Sequence, residues 1–98
     1  MTMDIKISGE EAVITLAGRL DTVTAPQLDK AICEDIQGAK SLILDLKEIE
    51  YISSAGLRVL LSAQKKMQRG GSMKVINVCE AVMEVFEMTG FADILTIE

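Results

Sequence analysis

Ser53 and Ser54 are the residues whose type and position best suit chemistry. They follow an apolar, strand-like run that begins at Leu42, and from Ala55 onward apolar residues recur at helical spacing. The two hydroxyls therefore lie where a strand passes into a helix. The start of a helix has unpaired backbone N–H groups and the positive end of the helix dipole, and both stabilise an anion such as a phosphate. Residues 52–56 are thus the leading candidate site.

The rest of the sequence offers little other chemistry. It contains no His, the commonest general base and metal ligand, and no Gly-rich phosphate loop. Cys33 and Cys79 are too few for a disulfide framework and have no His beside them for a zinc site, so we expect two reduced, partly buried thiols. A nucleophilic Ser54 would need a base that nothing in the sequence places beside it. We predict a protein that is not an enzyme and has no metal and no cofactor.

Composition limits the possible partners and location. The 98 residues are 49% hydrophobic and 26% charged, which predicts one ordered domain over residues 1–98. The net charge of -5 argues against direct binding to nucleic acid or to an anionic membrane surface. No apolar run approaches the roughly 20 residues that cross a bilayer, and the first residues lack a secretory signal. We therefore predict a cytoplasmic location.

Hydrophobic periodicity predicts an α/β domain with the order ββαβαβαβ. The predicted strands are 4–8, 12–17, 42–46, 74–78 and 94–97, with a tight turn at Gly9-Glu10 between the first two. The predicted helices are 24–38, 55–68 and 80–88, the first opening with a capping box from Thr24 to Gln27. The predicted buried stripes are Ala25, Leu28, Ile32 and Ile36 in the first helix and Leu57, Leu60, Leu61 and Met67 in the second. Strand–helix–strand units imply a mixed or largely parallel sheet with the helices mainly on one side. Functional loops of such sheets lie at the carboxyl ends of strands, where residues 52–56 fall.

Four segments together resemble a known family. They are LAGRLDTVTA at 16–25, LILDLKEIEYISSAGLRVLL at 42–61, GGSMKVINV at 70–78 and AVMEVFEMTGFADIL at 81–95. In this order they are similar to the STAS domain of bacterial anti-sigma factor antagonists, the regulators of sporulation and stress-response switches. The resemblance implies a STAS fold and a role in transcription regulation by partner switching. The unphosphorylated protein would bind an anti-sigma factor that is also a serine kinase and so free a sigma factor. Phosphorylation would release it, and a serine phosphatase would restore it.

The resemblance also implies which residues carry this function. Ser54-Ala55-Gly56-Leu57 matches the last four positions of the family phosphosite, so Ser54 is the implied phosphoacceptor, and Ala55 rules out the next position. Ser53 stands where the family usually has Asp, which leaves open a different kinase preference or a member that is weakly or never phosphorylated. Arg19 flanks the surface and is equally well explained as a solvated charge, as is Arg58. The implied partner-binding residues are Asp21, Thr22, Thr24, Ser53, Ser54, Ala55, Gly56 and Arg58.

Several alternatives stay open. A Ser at such a junction is most often a helix cap, so one rival is a constitutive STAS protein-binding or scaffold module that phosphorylation does not gate. A small-ligand or nucleotide-binding domain is a third reading. Asp21 either contacts the partner or caps the turn from Thr22 to Thr24. Gly56 permits either close backbone approach by a partner or close packing of its own helix.

Overall fold

The structure is a computed structural model that describes all residues 1–98 as a four-stranded sheet with three helices. A π-helical turn at Ala31–Asp35 extends the first helix, and a 3₁₀ turn at Phe91–Asp93 follows the third. No helix is long and apolar enough to cross a membrane. The elements in chain order are β1 (Thr2–Ser8), β2 (Glu11–Leu20), α1 (Ala25–Lys30), β3 (Ser41–Ile52), α2 (Ser54–Met67), β4 (Ser72–Ile76) and α3 (Glu80–Thr89).

The strands lie in the order β1-β2-β3-β4. β1 pairs antiparallel with β2 across the predicted two-residue turn at Gly9-Glu10. β2, β3 and β4 run parallel to one another, each connected to the next through a helix. The predicted mixed, largely parallel sheet is therefore confirmed, and the carboxyl ends of its three parallel strands share one edge.

The core lies between one face of the sheet and the helices. Along the middle of β2 and β3, fully buried residues alternate with half-buried ones, as expected when helices cover one face. In α2, Leu57, Leu60 and Met67 of the predicted stripe are buried, whereas Leu61 is only partly buried. The predicted stripe of the first helix is confirmed, since each of its members is at most 3% exposed: Ala25, Leu28, Ile32 and Ile36.

The predicted final strand at 94–97 is wrong. After the 3₁₀ turn, Ile94 still has helical backbone angles (φ −93°, ψ −42°), so the chain becomes extended too late to pair over several residues. It forms one parallel bridge, in which Val75 N–H donates to the carbonyl of Thr96 and Glu98 N–H donates to the carbonyl of Val75. The order is therefore ββαβαβα.

Smaller differences have local causes. β3 continues six residues past the predicted end at Leu46, because Ile49 and Ile52 keep it packed on the core. β4 ends at Ile76 because Asn77 adopts a left-handed backbone conformation (φ 57°). Both thiols are free, but Cys33 is exposed rather than partly buried, since it lies on the outer side of the first helix.

Candidate functional site

The two serines at the start of α2 have different roles. Ser53 is the N-cap, with extended backbone angles (φ −98°, ψ 174°), and its Oγ accepts a hydrogen bond from Gly56 N–H at 3.3 Å. Its carbonyl accepts from Leu57 N–H at 2.9 Å. Ser54 is the first helical residue; its side chain is exposed and its hydroxyl makes no hydrogen bond within the chain. One serine therefore closes the helix end, and the other presents a free hydroxyl there.

Gly56 allows this corner to pack against the ends of two strands. A Cβ at position 56 would lie 2.8 Å from Leu20 Cγ, 2.9 Å from Ile52 Cγ1 and 2.9 Å from the carbonyl oxygen of Leu20. Gly56 is itself buried. Of the two explanations left open by the sequence, the structure supports packing within the chain.

The turn after β2 is built around Asp21. Its Oδ1 accepts hydrogen bonds from the backbone N–H groups of Val23 (3.0 Å) and Thr24 (3.1 Å). Asp21 therefore caps the turn, which was one of the two roles that the sequence allowed. The predicted capping box is wrong, because Thr24 makes no side-chain cap to its helix. The Thr24 hydroxyl is buried and points back into the turn, where it donates to the carbonyl of Arg19 at 2.7 Å and accepts from Asp21 N–H at 2.9 Å.

The environment of Asp21 favours its charged form. The Thr24 backbone N–H has the largest effect and lowers the pKa of Asp21 below its ordinary value of 3.8. Partial burial opposes this shift, while the Thr24 hydroxyl, the Val23 N–H and the Arg19 guanidinium reinforce it. Asp21 is therefore a fixed negative charge on this surface near neutral pH.

The Asp21 turn and the Ser54 corner form one continuous surface. Ser53 N–H donates to the carbonyl of Leu20 at 2.9 Å, which joins the end of β3 to the end of β2. The register of the β2–β3 pair shifts twice, once before Ala17 and once after Gly18. Gly18 has a φ of 105°, which residues other than glycine rarely adopt. After these shifts Arg19 lies opposite Tyr51.

Two exposed apolar side chains lie on this surface and were not among the predicted site residues. Tyr51 is 42% exposed and stacks under Arg19, whose guanidinium carbon is 4.3 Å from the ring centroid. Val23 is 78% exposed in the Asp21 turn. Tyr51 is the one tyrosine of the chain, but its exposure depends on the register shifts in β2 and could not be read from local periodicity.

A groove of about 350 Å³ lies between the first turns of α1 and α2, beside Ser54. It brings together three of the predicted site residues, Thr22, Ala55 and Arg58. The remaining lining residues are Ala25, Pro26, Asp29, Val59 and Ser62. Among all the predicted residues, Thr22, Ser54 and Arg58 are exposed, whereas Thr24 and Gly56 are buried and position the others.

A larger hollow of about 490 Å³ lies at the opposite edge of the sheet. Lys40, Lys66 and Arg69 line it, but the latter two lie at the carboxyl end of α2, where cations compensate the helix dipole. Lys66 Nζ donates to the carbonyl of Ile32 at 2.9 Å, at the end of the other helix. Because helix ends explain these cations, we do not assign this hollow to the site.

Fold and site together define an α/β domain with an exposed serine at a strand-to-helix corner. The model of the STAS domain family matches residues 2–98, and the chain belongs to this family. It is 30% identical over 98 residues to an anti-sigma-B factor antagonist of Bacillus subtilis, a match that covers 99% of this chain and 90% of the relative. The family predicted from the sequence is thus confirmed. Its relatives named as anti-sigma factor antagonists are regulatory binding proteins.

Solved structures agree with this assignment. The crystal structure of an anti-sigma factor antagonist from Mycobacterium paratuberculosis matches with a TM-score of 0.87 and 25% identity, over 98% of this chain and 83% of that one. The phosphorylated form of the Bacillus cell fate determinant SpoIIAA matches with a TM-score of 0.77 and 21% identity, over 99% and 91%. The unphosphorylated form of SpoIIAA gives a TM-score of 0.73 at 18% identity, over 99% and 87%. The likeness to SpoIIAA shows the fold alone.

Proposed function

We propose that this protein is an anti-sigma factor antagonist whose binding is gated by phosphorylation of Ser54. Unphosphorylated, it binds an anti-sigma factor that is also a serine kinase and thereby frees a sigma factor. Phosphorylation of Ser54 releases the antagonist, and a serine phosphatase restores it. The observation that carries this proposal is the division between the two serines: Ser53 caps α2, so the exposed hydroxyl of Ser54 is free to react without loss of a structural bond.

The switch is electrostatic and local. A phosphate adds about −1.5 to −2 charge and three acceptor oxygens, which the start of a helix tolerates. The phosphorylated and unphosphorylated forms of SpoIIAA both have this chain's fold, which supports a switch without refolding. In an interface complementary to the free hydroxyl, the added charge must be desolvated or excluded. A penalty of about 3–4 kcal/mol weakens binding by a few hundred-fold, at 1.4 kcal/mol per tenfold.

The proposed partner surface surrounds Ser54. Asp21 supplies a fixed negative charge, Thr22 and Arg58 border the groove beside α2, and Ser53 and Ala55 flank the acceptor. Thr24 and Gly56 are buried beneath this surface, where Thr24 stabilises the Asp21 turn and Gly56 lets the start of α2 pack against the strand ends. The exposed side chains of Val23 and Tyr51 add apolar area next to these polar groups, and tyrosine is among the residue types that most often anchor an interface.

The test is a quantitative pull-down from the native cell lysate with wild type, Ser54→Asp and Ser72→Asp, read by mass spectrometry. Ser72 is exposed at the amino-terminal end of β4, whereas Ser54 follows the carboxyl end of β3. Ser72→Asp therefore adds the same charge at the other end of the parallel strands, far from the site. We expect wild type and Ser72→Asp to capture a protein with an ATP-binding kinase domain, and Ser54→Asp to lose it while keeping its circular dichroism spectrum.

Incubation of the captured kinase with ATP gives the second readout. We expect phosphate on Ser54 of wild type and none on Ser54→Ala. Equal capture by all three proteins, with no phosphate on Ser54, would instead favour the constitutive scaffold module, in which both serines serve the helix start only.

A further inference from the structure

Arg58 is a cation one helical turn beyond Ser54. Its side chain is exposed and makes no ion pair or hydrogen bond within the chain. Arg19, the other cation near this edge, is already engaged: its Nε lies 3.8 Å from Asp21 Oδ2 and its guanidinium stacks on Tyr51. Arg58 is therefore the uncommitted positive charge next to the proposed phosphoacceptor.

We propose that Arg58 binds the phosphate of phosphorylated Ser54; this inference rests on the proposed function. The two residues are separated by four positions in α2, so their Cβ atoms lie about 6 Å apart on one face. Side chains in a helix lean toward its N-terminus, which directs Arg58 over the turn that begins with Ser54. The planar guanidinium can then donate two parallel N–H bonds to phosphate oxygens.

The other charges around this pair leave it free to form. Asp29 of α1 lines the same groove as Arg58 but makes no ion pair with it. A phosphate dianion on Ser54 carries about twice the charge of the Asp29 carboxylate and has more acceptor oxygens, so it competes successfully for the guanidinium. Asp21, the nearest fixed negative charge in the adjoining turn, already has Arg19 beside it.

The pair gives phosphorylation a second effect on the interface. In the unphosphorylated protein Arg58 is available to contact the partner. After phosphorylation Ser54 carries negative charge and Arg58 is turned onto it, so the same event also withdraws a cation from the surface. The released form is stabilised by a contact that exists only after modification.

The test measures the second ionisation of the phosphate directly. Phosphoserine is incorporated at position 54 during translation, and the ³¹P chemical shift is followed against pH at about 0.1 M salt. A neighbouring guanidinium favours the dianion, so we expect the phosphate pKa in the otherwise wild-type protein to be about 0.3 pH unit lower than in Arg58→Gln. Arg58→Lys should recover part of this difference, since it keeps the charge without the bidentate geometry.

Arg69→Gln is the matched control, because it removes the same charge just past the other end of α2, roughly 22 Å along the helix axis from Ser54 and about two Debye lengths away at 0.1 M salt. Equal pKa values in wild type and Arg58→Gln, or equal changes in Arg58→Gln and Arg69→Gln, would overturn the proposal. The phosphate is installed without a kinase, so the result is independent of whether Ser54 is phosphorylated in cells. Failure of the proposed function would appear in the pull-down and ATP experiment instead.

Discussion

Replacing Gly56 with Ala should destabilise the protein, although Ala is the better helix former. Gly56 is the third residue of α2 and lies against the ends of β2 and β3. A new Cβ would come within 2.8–2.9 Å of Leu20 Cγ, Ile52 Cγ1 and the Leu20 carbonyl oxygen. Ordinary carbon contacts are about 3.5–4.0 Å, so both Leu20 and Ile52 would have to move.

The sign follows from the size of three effects. The higher helix propensity of Ala contributes at most about 1 kcal/mol in favour of the variant. Forcing a methyl group into a packed site costs about 1–3 kcal/mol. One of the displaced atoms is the Leu20 carbonyl oxygen, which accepts a hydrogen bond from Ser53 N–H. Loss of that hydrogen bond costs a further ~1 kcal/mol. We therefore expect the free energy of unfolding to fall by about 2 kcal/mol.

Urea unfolding at neutral pH measures this change, with Ser62→Ala as the control. Ser62 is an exposed residue of the same helix, where the propensity gain of Ala acts without a clash. Ser62→Ala should be as stable as wild type or slightly more so. If Gly56→Ala were also as stable as wild type, the contact between α2 and the two strand ends would have room for a methyl group, and the packing role of Gly56 would be refuted.

Two further predictions concern the site. Ser53→Ala should lower the free energy of unfolding by about 1 kcal/mol, because it removes the helix cap, whereas Ser54→Ala should change it by less than about 0.5 kcal/mol; equal effects would contradict the division between the serines. For Asp21, the folded-state pKa lies below 3.8, so the carboxylate stabilises the fold above that pH and this contribution is lost as pH falls through the folded pKa. The stability difference between wild type and Asp21→Asn should shrink in urea titrations from about pH 5 to about pH 2, and a constant difference would argue against it.

Most of the fold could be predicted because its hydrophobic pattern is regular. The first and third helices each have a clear apolar stripe, and the Gly9-Glu10 turn fixes the hairpin register. The final strand was mispredicted because a short apolar run such as Ile94 to Ile97 is compatible with either a strand or a turn, and only the tertiary position of the 3₁₀ turn decides between them. Thr24 is a second case in which local sequence was not enough. The sequence from Thr24 to Gln27 fits a capping box, but the Thr24 hydroxyl donates its hydrogen bond to the carbonyl of Arg19 in the preceding turn instead.

The site could be located but not fully resolved from sequence. Position alone indicated the strand-to-helix corner as the candidate site, while the assignment of Ser53 as the cap required the hydrogen bond that Gly56 N–H donates to its Oγ. The contribution of Tyr51 was hidden, because it depends on two register shifts in β2 that bring Arg19 over its ring. Long-range strand register leaves no local signal in the sequence.

The serine at position 53, where the resemblance expects Asp, bears on recognition more than on local structure. Ser and Asp both serve as N-caps, so the start of α2 forms with either residue. An Asp carboxylate would lie one residue from a phosphate on Ser54, and two unit charges about 6 Å apart near a protein surface repel each other by about 3 kcal/mol at an effective dielectric constant of about 20. With a neutral cap and an uncommitted Arg58 four residues on, a phosphate here meets less repulsion than in the usual motif. Under the proposed function, local electrostatics therefore favour a phosphate on Ser54, and we expect the effect of Ser53 to lie in the kinase's recognition of this site.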